Sequence, residues 1–325
     1  MQRGQNTDDA SLLTPRIQYV IGSEMRFCKL GCVYVPDGID PRARAHAMLP
    51  TPLLLGNIIR IFFASTDDDM VGRVFFVDLD SRDSLRIVGR SVAPVLDAGQ
   101  PGAFDMHGIN PSSLVQHGSE LWLYYVGYQR QTVVPYTLLT GLAISRDQGH
   151  SFERAGAMPV LPSTEDEQFF RTAAHVHPAK DGFRAWYIGG NRWTEHDGKT
   201  LPIYGLRHVR SADGRSWSDR RILLEPDETR GQIGFGRPYV LRTAHGYRIF
   251  LSVRTVNGYR LSHAVSDDGF SWRDWQNDVI PRSESGWDSE MICYAAALEI
   301  GGNEFVFYNG NGYGRSGFGV AIREA

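Results

Sequence analysis

Side chains able to move protons or hold anions recur ahead of short apolar segments along this sequence. His46 precedes "AMLPTPLLL", Asp105 and His107 stand in "GAFDMHGINPSSL", Arg171 and His175 in "FFRTAAHV", Arg237 in "GFGRPYV", and Asp288 with Glu290 in "GWDSEMICY". Carboxyl groups brought face to face from different segments can divide the work of general acid and general base, one raised in pKa by the other. Arg171, Arg237, Arg254 and Arg260, with His46, supply the cationic counterpart, and a guanidinium fork suits bidentate capture of phosphate or carboxylate. Tyr125, Tyr128, Trp193, Trp287 and Tyr313 offer flat faces for stacking, while Asn110, Asn191, Asn309 and Asn311 offer paired donors and acceptors for hydroxyl groups. A single Asp in a glycine-rich loop more often caps its own turn, and a lone His such as His175 is more often structural, so the weight rests on the convergence of several positions.

Convergence requires elements that repeat. "SADGRSW" from Ser211 returns as "SDDGFSW" from Ser266, with a looser version, "SRDQGHSF", from Ser145. Each copy follows a short apolar strand and turns through Asp and Gly toward an aromatic residue, Phe152, Trp217 or Trp272, which is the signature of a hairpin. A further strand pair lies upstream of each copy, as in "NPSSLV" with "ELWLYYVGY". Weaker units, such as "IIRIFFAS" with "GRVFFVDLD" and "EFVFYNGN" with "GFGVAIRE", extend the series both ways to five units. Short strands rich in Val, Ile, Tyr, Phe and Trp without helical periodicity predict an all-β chain, and five four-strand units predict a five-bladed propeller. The last unit runs out after three strands, so "EMRFCKLGCVYV" near the start is expected to close that blade as its outer strand and remove an exposed edge. The five inner strands are expected near Ala47, Ile109, Thr172, Gly236 and Met291, which would gather the polar residues above at one mouth of a central channel.

The 325 residues read as one domain, 1–325, with 1–16 a frayed polar tail. A net charge of -3 gives no basic footprint for nucleic acid, no apolar run is long enough to span a bilayer, and the first residues lack the form of a secretory signal. Three cysteines without metal-binding spacing fit reduced thiols in a cytoplasmic protein. No zinc cluster, nucleophile elbow or dinucleotide fingerprint occurs, so neither a metal nor an organic cofactor is assigned; Ca²⁺ in the channel is left open, as is the oligomeric state.

The ordered segments "HAMLPTPLL", "GAFDMHGINPSS", "GLAISRDQGHSFER", "FGRPYV", "GYRLSHAVSDDGFSW", "GWDSEMICYAA" and "YNGNGYGRSGFGVA" resemble bacterial members of the five-bladed propeller superfamily of arabinanases, levansucrases, invertases and inverting mannoside phosphorylases. The resemblance, which runs from about Lys29 onward, implies a carbohydrate-active enzyme (glycosidase, phosphorylase or glycosyltransferase-like) working with inversion on a small-molecule or oligosaccharide substrate, and the cations above point to an anionic or phosphate-bearing sugar of polysaccharide or glycoconjugate metabolism. Asp105 and Glu290 are the expected catalytic pair, with Asp288 orienting the substrate or raising its neighbour's pKa, because inverting hydrolysis needs carboxyl groups roughly 6.5–9.5 Å apart. The resemblance extends to hydrolases of family 43, whose three acids come from the first three blades. This chain departs from that pattern: Asp37 and Asp40 lie in a loop, and Glu167 lacks the Glu-Gly-Pro context. Phosphorolysis, with inorganic phosphate as co-substrate, needs one acid and a cationic cradle. The expected substrate-binding residues are His46, His107, Asn110, Tyr128, Arg171, His175, Trp193, Arg237, Arg254, Arg260, Trp287, Asn309, Asn311 and Tyr313. A noncatalytic glycan-binding or protein-interaction propeller is the alternative.

Overall fold

The computed structural model describes residues 25–324, and the tail expected over 1–16 lies outside them. The chain is all-β. Twenty strands pair antiparallel in groups of four: β2 (Ala45–Leu55), β3 (Ile58–Thr66), β4 (Gly72–Asp80), β5 (Ile87–Arg90); β6 (Ile109–His117), β7 (Glu120–Arg130), β8 (Tyr136–Ser145), β9 (Glu153–Arg154); β10 (Phe170–Ala179), β11 (Gly182–His196), β12 (Lys199–Ser211), β13 (Ser218–Leu224); β14 (Gln232–Thr243), β15 (Gly246–Thr255), β16 (Gly258–Ser266), β17 (Arg273–Asn277); and β18 (Cys293–Ile300), β19 (Asn303–Asn309), β20 (Phe318–Arg323) with β1 (Phe27–Tyr34). β1 runs antiparallel to β20 from the Phe27–Arg323 pair to the Tyr34–Phe318 pair. Parallel pairs β8–β10 and β12–β14 join the three middle groups into one twelve-stranded sheet.

The core lies between neighbouring groups. Phe62, Val74 and Phe76 of the first pack on Leu123, Tyr125 and Ala143 of the second. Corresponding clusters join the second to the third through Tyr124 and Tyr187, the third to the fourth through Trp186 and Ile249, and the fourth to the last through Phe250 and Tyr308. The last group packs back on the first, with Phe307, Phe318 and Val320 against Ile61, Phe63 and Phe75.

The repeated turn explains part of this packing. Ser145, Ser211 and Ser266 each donate a side-chain hydrogen bond to Asp147, Asp213 and Asp268, at 2.7, 2.9 and 2.9 Å, and each hydroxyl accepts from the backbone N–H of Gly149, Gly214 or Gly269. Each glycine has left-handed φ, at 84°, 70° and 79°. A Cβ there would strike an aromatic ring of the preceding group: Phe62, Trp122 or Trp186. Tyr124 donates to the Gly214 carbonyl at 2.8 Å, and Trp186 to that of Gly269 at 2.7 Å. The turn recurs because it fits each group onto its neighbour.

The first strand of every group carries a register shift at the same place: Met48/Thr51, Pro111/Ser113, Thr172/His175, Gly236/Tyr239 and Cys293/Ala296. In four of these strands the bulged residue, Leu49, Ala173, Arg237 or Tyr294, has left-handed φ of 54°, 52°, 28° or 58°. L-residues disfavour this region by roughly 1–2 kcal/mol each. Such strain gathers where structure serves a site.

Candidate functional site

All four strained residues line one cavity of about 100 Å³, together with Asn110, Val126, Leu138, Thr172, Ile188, Tyr204, Phe235, Gly236 and Tyr259. Every group of strands contributes to this lining. No aspartate or glutamate does.

The expected acids lie elsewhere. Asp105 is fully buried; its Oδ2 accepts from the Tyr125 hydroxyl at 3.0 Å and from Arg154 at 2.8 Å. Asp288 is nearly as buried; its Oδ2 accepts from Tyr308 at 3.1 Å and from Lys29 Nζ at 2.6 Å. A third acid, Glu167, repeats the arrangement with Tyr187 at 2.7 Å, Arg207 at 3.2 Å and Arg171 at 3.0 Å. In all three latches the tyrosine stands 20 residues after the acid. Burial raises the phenol pKa of Tyr125, Tyr187 and Tyr308, and the adjacent carboxylate raises it further, so each remains a donor. Burial pushes the Asp288 carboxyl up, but bonds from Lys29, Ser283 and Tyr308 outweigh it and hold the group below its ordinary value. Oδ1 of Asp105 and of Asp288 is buried without a partner among the described residues. The structure therefore places Asp105, Asp288, Arg171 and Tyr125 within latches that clamp the loop ahead of a group to that group's second strand, and places none of them in the cavity lining. Glu290 differs: its carboxylate is exposed, while its backbone accepts from Arg260 and Arg282 and donates to Asn311.

Two expected cations lie at the cavity: Arg237 lines it, and Arg254 stands behind Tyr204, one of its lining residues. Arg237 is 1% exposed, and its guanidinium donates to the carbonyls of Pro50 at 2.7 Å, Tyr294 at 3.1 Å and Ser112 at 3.2 Å and to the Thr51 hydroxyl at 2.8 Å. It ties three groups together from the fourth, its Nε keeps no partner, and burial pushes its pKa down to about 10. Arg254, at the end of β15, donates to the Tyr204 hydroxyl at 2.9 Å and lies over the Tyr204 and Tyr259 rings at 5.9 and 5.8 Å. Burial opposes its charge, yet the phenols of Tyr204, Tyr259, Tyr136 and Tyr313 raise its pKa on balance. Neither arginine forms an ion pair among the described residues.

Around them the aromatic side chains are continuous. Tyr128 packs on Tyr136 at 5.0 Å, Tyr136 on Trp193 at 5.5 Å, Phe170 on Tyr204 at 5.3 Å, and Tyr259 on Tyr313 at 6.0 Å. Asn110 Oδ1 and Thr172 Oγ1 are buried without partners among the described residues. Seven other expected ligand residues make contacts within the protein. Asn309 is buried and staples β19 to β2 through the Ala47 carbonyl and the Leu49 N–H. Asn311 holds the turn beside Glu290, and Trp287 stacks on Tyr308. His175 is buried against His177, with 2.9 Å between their Nε2 atoms, and burial holds its pKa well below the ordinary value. His46 is buried against Thr66, at 3.0 Å from its hydroxyl, with its pKa lowered by burial and then by Arg315. His107 accepts from the Arg130 backbone, and Arg260 bonds the Tyr259 and Glu290 carbonyls beside Asp278. Among the described residues no group of His, Cys, Asp and Glu could hold a metal ion, and no helix is long and apolar enough to cross a membrane.

Sequence reasoning missed Tyr204, Tyr259 and Tyr294. A signal existed for two of them: "YGLRHVRSADG" and "YRLSHAVSDDG" put Tyr204 and Tyr259 at the same position of the repeat.

Solved structures with similar backbones include a β-1,2-mannobiose phosphorylase from Listeria innocua (TM-score 0.67, 12% identity, 92% of this chain and 96% of that chain) and a glycosyl hydrolase from Bacteroides ovatus (TM-score 0.65, 13%, 92% and 93%). A β-fructofuranosidase of Bombyx mori is similar at TM-score 0.57, with 17% identity, over 87% of this chain and 62% of that chain. These likenesses show a shared fold, that of the propeller glycosidases. No protein-family model matches the sequence. The "Uncharacterized protein Rv1502" of Mycobacterium tuberculosis strain H37Rv is 33% identical over 303 residues, covering 92% of this chain and all of that protein, and a counterpart in strain CDC 1551 matches equally well. With a third of the residues shared along almost the whole of both proteins, the chain belongs to the same family as Rv1502.

Proposed function

We propose that the chain is a carbohydrate-active enzyme on a five-bladed propeller, β1 completing the last blade, and that it cleaves or forms a glycosidic bond with inversion in the cavity where the five inner strands meet. Its substrate carries, or reacts with, an anion: a sugar phosphate, a uronic acid or inorganic phosphate. The observation that carries this reading is the charge at the cavity: Arg237 lines it, Arg254 backs its Tyr204 wall, no carboxylate lines it, and three tyrosines do. A buried cation without a counter-ion costs several kcal/mol, and an anionic ligand offsets that cost. Aromatic rings beside it suit the apolar faces of a sugar, and the unpartnered Asn110 and Thr172 oxygens suit its hydroxyl groups. Similarity to a mannobiose phosphorylase supports phosphorolysis, which needs no second carboxylate. Glu290, exposed and bonded through its carbonyl to Arg260, the neighbour of the lining residue Tyr259, would meet the outer part of the substrate.

The lack of a lining carboxylate also favours a second reading, a propeller that binds an anionic glycan without turnover. Incubation with glycosides, sugar phosphates and sugar nucleotides, with and without phosphate, followed by mass analysis, separates the two. Product formed only with phosphate is the expected result. Binding of the same compounds without product would replace the enzyme by the binding protein, and neither binding nor product would remove both.

A further inference from the structure

A glycosidic oxygen leaving in this cavity needs a proton, and no carboxyl group lines the walls to give it. The lining side chains that carry exchangeable protons on oxygen are Thr172, Tyr204, Tyr259 and Tyr294. They differ in what would hold the oxyanion left behind. Tyr204 Oη accepts from Arg254 Nη1 at 2.9 Å and lies 2.8 Å from Tyr259 Oη. The Tyr259 ring is 3% exposed, and its hydroxyl has no other hydrogen-bond partner among the described residues, so Tyr259 is satisfied by donating to Tyr204. Two donors thus converge on the Tyr204 oxygen and leave its own proton for a third partner on the open side. Among the described residues Thr172 Oγ1 has no partner, and no hydrogen bond reaches the Tyr294 hydroxyl.

We infer that Tyr204 is the proton donor of this site, with Arg254 and Tyr259 as the groups that stabilise its phenolate; the inference rests on the enzyme reading above. In the step, the bond between the anomeric carbon and the glycosidic oxygen breaks, and the oxygen keeps the bonding pair and takes the Tyr204 proton. An oxygen of inorganic phosphate, or of water, supplies the pair for the new bond to the anomeric carbon. The phenolate is held by the Arg254 N–H and the Tyr259 O–H, an arrangement of fixed donors aimed at developing charge. It then recovers a proton from solvent; in hydrolysis solvent also takes the proton released by the attacking water. Arg254 so has two tasks, orienting the anion and holding the phenolate.

The test uses two glycosides of whichever sugar the turnover screen identifies, one with an alkyl leaving group that needs protonation and one with a dinitrophenyl group that does not. Tyr204→Phe should lower turnover of the alkyl glycoside by about 10²- to 10⁴-fold and that of the dinitrophenyl glycoside by less than about tenfold, the signature of a lost general acid. Tyr259→Phe, as a positioning change, should give the same pattern at smaller size, lowering turnover of the alkyl glycoside by about tenfold and leaving the dinitrophenyl glycoside nearly unaffected. Equal losses on both substrates in Tyr204→Phe, with unchanged melting temperature, would overturn the assignment while leaving the enzyme reading in place. Should Tyr204→Phe fail to fold, the Tyr259→Phe variant decides, since an unaltered dependence on leaving group there overturns the phenolate network. Wild-type protein that turns over nothing removes the enzyme reading and this donor together.

Discussion

Two kinds of tyrosine cluster occupy this molecule, built from the same side-chain types with opposite charge balance. In the latches Asp105–Tyr125–Arg154, Glu167–Tyr187–Arg207 and Asp288–Tyr308–Lys29, a phenol donates to a carboxylate that a cation neutralises. At the cavity, Tyr204, Tyr259 and Arg254 hold one another with no carboxylate among them. The first arrangement is complete within the protein and serves the fold. The second leaves one charge unanswered beside a space. Burial and charge alone do not distinguish the two clusters; the missing counter-charge does.

The largest effect should come from the open cluster. Arg254→Ala is expected to lower turnover, or affinity for the anionic ligand in a binding assay, by about 10²- to 10³-fold with little change in melting temperature, because removing an uncompensated cation also removes its desolvation cost. A large drop in stability instead would place Arg254 with the latches and break the contrast. Next comes the closed cluster. Asp105→Asn should cost about 3 kcal/mol in denaturant unfolding, since it leaves Arg154 beside a neutral group, while activity per folded molecule stays unchanged. A stable but inactive Asp105→Asn protein would return that carboxylate to the chemistry.

The Asp288 latch adds a pH dependence. Its folded pKa is depressed, so its contribution to stability is complete above the unfolded value of about 3.9 and is lost as pH falls through the lower folded value. Melting temperature below about pH 4 should therefore fall more steeply in wild type than in Asp288→Asn, and parallel curves would show that the latch contributes nothing. Glu290→Gln should show the smallest effect, within about 0.5 kcal/mol in stability and within about tenfold in turnover, because its carboxylate is exposed and belongs to neither cluster. A loss of a thousandfold or more would make Glu290 the acid in place of Tyr204.

The strand order was legible because it rests on local chemistry. Alternating apolar runs and Ser-x-Asp-Gly turns read the same from sequence as in space, and the expected inner strands at Ala47, Ile109, Thr172, Gly236 and Met291 fall on or within three residues of β2, β6, β10, β14 and β18. The position of Asp105 and Asp288 ahead of those strands was legible too. Their chemical state was not, because their partners stand 20 residues on, in the next strand, where a tyrosine looks like any β-former. Arg237 shows the same limit: "GFGRPYV" announces an arginine at the right depth, but that it is spent on the carbonyls of Pro50, Ser112 and Tyr294 depends on three distant segments. Arg254 was singled out as a cation near a strand end, but it stands behind Tyr204 and outside the cavity lining, and the paired phenols beside it went unread.

The pairing of β1 with β20 has a consequence for birth rather than for catalysis. Phe27–Tyr34 leaves the ribosome long before its partner Phe318–Arg323 exists, and Lys29 waits just as long for Asp288, 259 residues away. Chains emerge at about 5–20 residues per second, so this strand spends some tens of seconds with an open edge that carries Cys28 and Cys32. The four intervening groups can fold in turn as they are made, whereas the last must wait for both ends. Emergence of Phe318–Arg323 from the ribosome, more than any single contact, therefore sets the moment at which the last group can be completed, and a nascent chain stalled before that strand emerges should leave β1 open to protease after the other groups have become resistant.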